Sequence, residues 1–282
     1  MATLLVGYDV ESFAIGEGLA RIGDHGIDQA IEPSSTPAAM EVIKRNHEEF
    51  DAPATLFICG RTLVHHVDLF QELVDHPLFD VQQHTYSHAL FKPDAWNGGV
   101  FLSSPPNAME TEIATTSAAL KKYLDIDCIG LRAPHGYHLG LTDMPEMLDV
   151  LERCGIRFVS SWARNEHGEN PTPMSIQPFW YDEQGHPEIL EIPFQGWLDG
   201  IWFEANGIDN GSGYADVLSR SIDEIVAGDL VYGGCYHDWA MIRYDEAGSG
   251  WIRSLLSYAR QQGVEVKSYA DFYRAMPAPI GA

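Results

Sequence analysis

The stretch DVQQHTYSHALF, residues 80–91, carries two histidines four residues apart, His84 and His88. Apolar Phe79 and Val81, following a helix-like segment, predict a strand that leads into the pair. Both imidazoles then stand where a strand ends. Histidines at this spacing project from one side of a helical turn, so their ring nitrogens can reach a single point that a divalent metal would occupy. The same spacing fits a capping turn with two solvated histidines, and the rest of the chain has to decide between the two.

Strand-like and helix-like segments alternate on both sides of this stretch. The predicted strands are TLLVGYDV (3–10), ATLFICG (54–60), DVQQHT (80–85), CIGLRAP (128–134), RFVSSW (157–162), EILEIPF (188–194) and LVYGGCYH (230–237), with a short closing one at VEVKS (264–268). They are continuous apolar runs, as expected for parallel strands buried on both faces. Between them lie helical patterns. Thr36-Pro37 reads as an N-cap followed by proline at the first helical position, with Met40, Ile43, His47 and Phe50 on one face. Leu63, Val67, Phe70 and Val74 form a second stripe. Asn107 with Glu110 and Asp143 with Glu146 resemble capping boxes, and Gly155 closes the second of these helices. Two further helices are expected at 214–227 and 251–262.

Alternation repeated about seven times predicts an α/β chain built as a parallel-stranded barrel rather than an open sheet. No repeat or low-complexity linker interrupts it, which predicts one domain over residues 1–282. Four connections exceed what turns require: 16–35, 90–106, 163–187 and 199–213. They are rich in Gly, Asn, Pro and aromatics, among them Trp96, Phe101, Trp180, Trp202 and Phe203. Loops of this kind tend to be functional, and gathered at the C-terminal mouth of a barrel they would wall a pocket.

Composition narrows the function classes. The chain is 45% apolar and 21% charged, which suits a soluble protein with a large core. No run approaches the roughly 20 apolar residues of a membrane span. The N-terminal MATLLVGYDVESF has no basic n-region and reads as a first strand, so no secretory signal is expected. Lys and Arg total 17 against 41 Asp and Glu, a formal net charge of −24, and such a surface repels nucleic acid and anionic membranes. With only five lysines, it is also compatible with tolerance of high salt. Cys59, Cys128, Cys154 and Cys235 form no C-x-x-C pair, which fits reduced thiols in a cytoplasmic protein. The composition is equally compatible with a homo-oligomer.

Polar residues collect at the C-terminal ends of the predicted strands: Asp9-Val10-Glu11, His84 and His88, Arg132, and His237-Asp238. In α/β barrels that end carries the chemistry. Each residue alone has a structural reading: a helix cap for Asp9 or Glu11, an ion pair for Arg132, a satisfied core histidine for His237. Their joint placement at strand ends favours a site.

With these residues in view, the sequence resembles the polysaccharide deacetylase-type enzymes of carbohydrate esterase family 4, whose fold is a distorted (β/α)7 barrel. HTYSH matches the H-T-x-S-H motif of that family, and ATLFICG is similar to its A-T-F-F-x-x-G strand. IGLRAPHGY resembles the R-x-P-x-G segment, and LDVLERCGIRFVSSW, EILEIPFQGWLD and CYHDW resemble later motifs in the expected order, from Leu4 to about Trp239. The resemblance implies roles residue by residue. His84, His88 and Glu11 would be ligands of one divalent metal ion, Zn²⁺ being the expected one. Asp9 would be the general base, Arg132 would orient it, the backbone N–H of His135 would hold the oxyanion, and His237 would protonate the leaving amine. Trp96, Trp162, Trp197, Asp199 and Trp202 are the expected substrate contacts.

Amide hydrolysis needs those parts. Water must be activated, a tetrahedral oxyanion stabilised and a poor amine leaving group protonated. Two imidazoles and one carboxylate leave an open position on a Zn²⁺-like ion, which brings bound water near a pKa of about 7. A second carboxylate can take the proton, and a histidine across the site can return it. The departure from the family pattern is YDVE in place of adjacent aspartates. Members with acid-x-acid often act on small amides, including cyclic ureides and imides. His135 and His138 add imidazoles near the mouth, for substrate contact or as solvated loop residues.

Three functions are therefore in competition. The first is metal-dependent N-deacetylation of an amino sugar or oligosaccharide. The second is ring opening of a cyclic imide or allantoin-type amide. The third is a catalytically silent carbohydrate-binding barrel with Trp96, Trp197 and Trp202 as stacking platforms.

Overall fold

The first expected strand, Thr3–Val10 (β1), is buried along its whole length and lies second in the strand order of the sheet. The computed structural model of the protein describes residues 1–12, 35–96, 99–244 and 250–277, without the Trp96 side chain. The expected connection over 16–35 lies almost wholly outside the described residues. Among the described residues, seven strands follow one another in a parallel path: β1, β2 (Ala54–Ile58), β3 (Phe79–Gln83), β6 (Gly130–Tyr137), β7 (Phe158–Trp162), β9 (His186–Glu191) and β10 (Val231–His237). Their order is β10-β1-β2-β3-β6-β7-β9. β8 (Phe179–Tyr181) adds an antiparallel edge to β9, β11 (Glu265–Lys267) pairs with the start of β1, and β4 (Asp94–Trp96) with β5 (Gly99–Phe101) forms a separate hairpin.

The ends of this path are joined just beyond β9. The backbone N–H of Gln195 donates to Gly233 O at 2.9 Å, and the N–H of Gly233 donates to the Gln195 side-chain oxygen at 2.7 Å. Gln195 Nε2 donates in turn to Ile176 O and Val231 O. One amide side chain thus replaces part of the missing ladder and leaves fewer buried backbone groups unpaired. The expectation of a distorted (β/α)7 barrel is met in this form.

Ten helices are described: α1 (Ser35–Phe50), α2 (Gly60–His65), α3 (Val67–Val74), α4 (Pro106–Leu124), α5 (Pro145–Arg153), α6 (Asp199–Asn206), α7 (Gly211–Gly228), α8 (Asp238–Arg243), α9 (Gly250–Gln261) and α10 (Tyr269–Ala275). Among these described helices, none is long and apolar enough to cross a membrane. The largest core packs α1, α7 and α9 against β1, β2 and β10, and a second core packs α4 and α5 against β6 and β7.

A third core fills the barrel from below. Leu5, Phe57, Phe158, Leu190 and Ile192 point inward and meet Tyr269 and Phe272 of α10, which plugs that end. Above this layer the guanidinium of Arg132 is fully buried, lying 4.6 Å from the ring centre of Phe57 and 4.3 Å from that of Phe194. Gly7 makes room for it: a Cβ there would come within 2.5 Å of Arg132 Nη2. Residues alternate along a strand, so Leu5, Gly7 and Asp9 share the inner face of β1, and the interior turns from apolar to ionic toward the mouth.

Local signals misplace some details. Neither proposed capping box forms. α4 begins after Pro105 and α5 after Met144, both without a side-chain cap. Glu110 instead pairs with Arg153 at 2.7 Å, and Asp143 pairs with Lys92. Three expected loops contain short elements: the β4–β5 hairpin within 90–106, β8 within 163–187, and α6 within 199–213. Segments this short have too few residues for periodicity to register.

Candidate active site

β3 stops at Gln83, and the residues from His84 to His88 do not form the expected helical turn. Thr85 and His88 both take left-handed backbone conformations, with φ of 59° and 62°. The two rings meet because the chain bends back on itself, with centroids 5.0 Å apart. The bend is gripped from α2, where Gly60 N–H donates to Thr85 O and Arg61 N–H to Tyr86 O, each at 2.9 Å. Gly60 permits that approach, since a Cβ would lie 2.4 Å from the Tyr86 ring. The Thr85 hydroxyl oxygen accepts the Ala89 N–H at 2.9 Å. His84 Nδ1–H donates to Arg132 O at 2.8 Å, which fixes the tautomer and leaves Nε2 facing the site.

Glu11 stands opposite. Its Oε2 lies 3.0 Å from His84 Nε2 and 2.9 Å from His88 Nε2, while Oε1 accepts the Trp239 indole N–H at 3.0 Å. Burial alone would raise its pKa. The His88 and His237 rings opposite outweigh this and hold the carboxyl well below the usual range. His84 is raised: burial opposes its charged form, but Asp9 and Glu11 prevail. His88 is lowered, chiefly by burial. Asp9 Oδ2 is 3.6 Å from His84 Nε2, and the Cys235 thiol donates to it at 3.4 Å. Among the described residues Asp9 Oδ1 has no hydrogen-bond partner, and it lies 3.9 Å from Arg132 Nη1.

His237 closes the cluster, with Nε2 3.9 Å from Glu11 Oε1. Asp199, fully buried, accepts the His237 Nδ1–H on Oδ1 at 2.5 Å and the His237 backbone N–H on Oδ2 at 2.8 Å. Burial works against a charged ring, but the Asp199 carboxylate overcomes it and His237 is pushed up to about 10. Asp238, also fully buried, accepts from the backbone N–H groups of Glu11, Ser12 and Trp239 and from the hydroxyls of Ser12 and Thr36. It thereby ties the end of β1 to the starts of α1 and α8. Thr36 serves in this network.

Among the described residues, two groups of donors lie close enough to hold a metal, each with ligand atoms within 4.8 Å of one another: Glu11 with His84 and His88, and Asp9 with Cys235 and His237. The first offers two imidazole nitrogens and a carboxylate, the donor types that suit Zn²⁺. The second is poorer for a cation. Arg132 lies beside Asp9, and burial with Asp9 nearby pushes the Cys235 thiol well up, so its ligating form is disfavoured.

The structure therefore brings Asp9, Glu11, His84, His88, Arg132 and His237 together. His135 lies at the rim with φ of 67°, inside an irregular part of β6 between Arg132 and Tyr137. Its Nδ1–H donates to Asp94 Oδ2 at 2.7 Å, and Asp94 also takes Arg164 at 2.8 Å. His138 packs edge-on against Trp162, their centroids 5.9 Å apart, and the Trp162 indole N–H donates to Arg164 O.

Two expected substrate contacts need correction. Trp202 is 5% exposed and packs on Phe203 and Tyr214 in the main core, because α6 turns it inward. Asp199 spends both oxygens on His237. Trp197 packs half-buried against the same core, and the Trp96 side chain lies outside the described residues. Sequence reasoning placed Asp238 beside His237 without a role and missed Trp239 and Cys235 as neighbours of the site, although Trp239 lies two residues after His237 in CYHDW.

The profile of the polysaccharide deacetylase family matches residues 24–159. A search of curated protein sequences finds no match. Among solved structures, the chain is similar to Puue allantoinase, with a TM-score of 0.74 at 14% identity over 97% of this chain and 89% of that one. A probable polysaccharide deacetylase from Pseudomonas aeruginosa PAO1 also gives 0.74, at 13% identity over 97% and 90%. A family 4 carbohydrate esterase from Streptomyces lividans, in complex with acetate, gives 0.52 at 15% identity over 94% and 91%. At such identities these likenesses speak for the fold, and the profile match speaks for the family. Taken with the HTYSH bend and the acid–histidine cluster around it, the profile match supports a polysaccharide deacetylase-type protein.

Proposed function

We propose that the protein is a metal-dependent hydrolase of amide C–N bonds that removes the N-acetyl group of an amino sugar or oligosaccharide. One observation carries this reading. The donor set of Glu11, His84 and His88 adjoins both a buried carboxylate oxygen without a hydrogen-bond partner among the described residues, Asp9 Oδ1, and a histidine held by a buried carboxylate, His237. Glu11, His84 and His88 would hold the cation, Zn²⁺ by donor type. When bound, such an ion polarises the amide carbonyl and eases deprotonation of water.

Asp9 Oδ1 takes the proton of the attacking water, and the Arg132 guanidinium 3.9 Å away orients the carboxylate. As the water oxygen bonds to the carbonyl carbon, the backbone N–H of His135 meets the oxyanion. His237, with Nδ1–H held on Asp199, gives its Nε2 proton to the departing nitrogen. The C–N bond breaks, leaving acetate and a free amine. Asp199 thus acts through His237, fixing its ring and its tautomer.

The runner-up substrate class is a cyclic imide or ureide. The Asp9-Val10-Glu11 spacing and the fold shared with Puue allantoinase favour it. Both readings share one site, and one screen tests them. Protein purified without chelator is assayed on N-acetylated amino sugars for acetate release, and on cyclic imides and ureides for ring opening. Acetate release that stops in Asp9→Asn supports the first reading, whereas ring opening alone replaces it with the second. Sugar binding without hydrolysis of either class, by metal-loaded protein, would overturn both and leave a binding barrel.

A further inference from the structure

Ten residues, 84–93, separate β3 from β4, and two of them, Thr85 and His88, hold left-handed conformations without being glycine. Such a residue is strained and persists only where its surroundings enforce it. The grip from α2 acts on the carbonyls of Thr85 and Tyr86 and leaves the amides of the bend to be satisfied from elsewhere. Those of Tyr86 and Ser87 are satisfied by one side chain. Glu112, in the second turn of α4, accepts the Tyr86 N–H at 3.0 Å and the Ser87 N–H at 2.7 Å on Oε2, and the Ser87 hydroxyl at 2.9 Å on Oε1. Charge-assisted bonds of this kind are roughly twice as strong as neutral ones, and three of them converge on two adjacent residues.

We infer that Glu112 is a positioning residue for the metal. By clamping Tyr86 and Ser87 it holds His88 in its left-handed conformation, and so keeps His88 Nε2 beside His84 Nε2 and Glu11 Oε2. The argument rests on the metal reading of Glu11, His84 and His88. It also gives the second and fourth positions of HTYSH a physical purpose. Thr85 closes the far side of the bend through Ala89, and Ser87 supplies the third bond to Glu112. His84 needs no such help, because its backbone N–H still donates to Ile58 O at 3.0 Å and its ring is fixed on Arg132 O. The clamp therefore acts on one ligand of the pair.

The test is Co²⁺ binding to metal-free protein, followed by the visible d–d absorption of the bound ion and by competition for its affinity. Wild type, Glu112→Ala, Glu112→Gln, Ser87→Ala and His88→Ala are compared, with thermal unfolding to check each fold. Loss of groups that orient a ligand typically costs about 10- to 100-fold in metal affinity, which is the loss expected for Glu112→Ala, together with an altered d–d spectrum. Glu112→Gln keeps one acceptor oxygen for the two amides and should recover most of that affinity, a rescue that mere packing would not give. Wild-type affinity and spectrum in Glu112→Ala, alongside lost binding in His88→Ala, would overturn the inference and leave the metal reading standing. No Co²⁺ binding by wild type would bring down both. If Glu112→Ala does not fold, Ser87→Ala decides: a several-fold loss supports the clamp, and unchanged affinity refutes it.

Discussion

Acid should weaken this fold through one core histidine remote from the chemistry. His47, in the last turn of α1, is fully buried. Its Nδ1–H donates to Ala52 O at 2.7 Å, and its Nε2 accepts the Tyr8 hydroxyl at 2.8 Å. Every polar atom of the neutral ring is thus used, and the tautomer is set by the carbonyl. A second proton on Nε2 would face the Tyr8 O–H donor in an apolar setting edged by Phe79. Burial, only partly offset by the Ala52 carbonyl, lowers His47 from 6.5 to about 4. Its folded value lies below its unfolded one, so the unfolded chain takes up the proton first. The stabilisation is then complete above the unfolded value and is lost as pH falls from 6.5 toward about 4. At about 1.4 kcal/mol per unit, the gap is worth about 3 kcal/mol. The assay is urea unfolding of wild type and His47→Gln at a series of pH values from neutral to mildly acidic. Glutamine keeps a neutral acceptor and donor but cannot titrate. Wild type should lose about 3 kcal/mol more than the variant across the window. Parallel pH profiles for the two proteins would refute the reasoning.

Elemental analysis of protein purified without chelator should find one divalent metal per chain, absent from Glu11→Ala and His88→Ala; full turnover after exhaustive chelation would remove the metal from the scheme. His237→Ala should keep its metal and lose activity by of order 10²–10⁴-fold, and Asp199→Asn should follow it, because the ring loses its carboxylate partner. Turnover near wild type in either would reassign the proton donor. Asp9→Asn should be at least as damaging with metal still bound, whereas an empty site in that variant would make Asp9 a ligand. Trp202→Ala should cost about 3–5 kcal/mol of stability, measured by denaturation, because it empties a core position. A specific rise in KM at undiminished stability would return Trp202 to the substrate pocket.

Much of this arrangement was legible in the residues themselves. Buried parallel strands need apolar runs and barrel chemistry needs polar residues at their C-terminal ends, so β1 with Asp9 and Glu11, β3 with the histidine pair, β6 with Arg132 and β10 with His237 could all be located from the order of residues alone. The two-residue period of a strand also put Asp9 and Glu11 on one face. What could not be read were the facts that depend on partners distant in the chain. The convergence of His84 and His88 follows a bend with two left-handed residues, enforced from Gly60, Arg61 and Glu112, rather than a helical turn. The partner of His237 is Asp199, 38 residues earlier, and the tryptophan on Glu11 is Trp239, 228 residues later. Aromatic residues in a long connection read as a ligand wall, yet α6 folds Trp202 into the core because that helix leaves one face to bury. Apolar pattern and strand order are properties of local sequence, whereas a side chain's hydrogen-bond partner and a tryptophan's exposure are decided only when the barrel brings its strand ends and loops together.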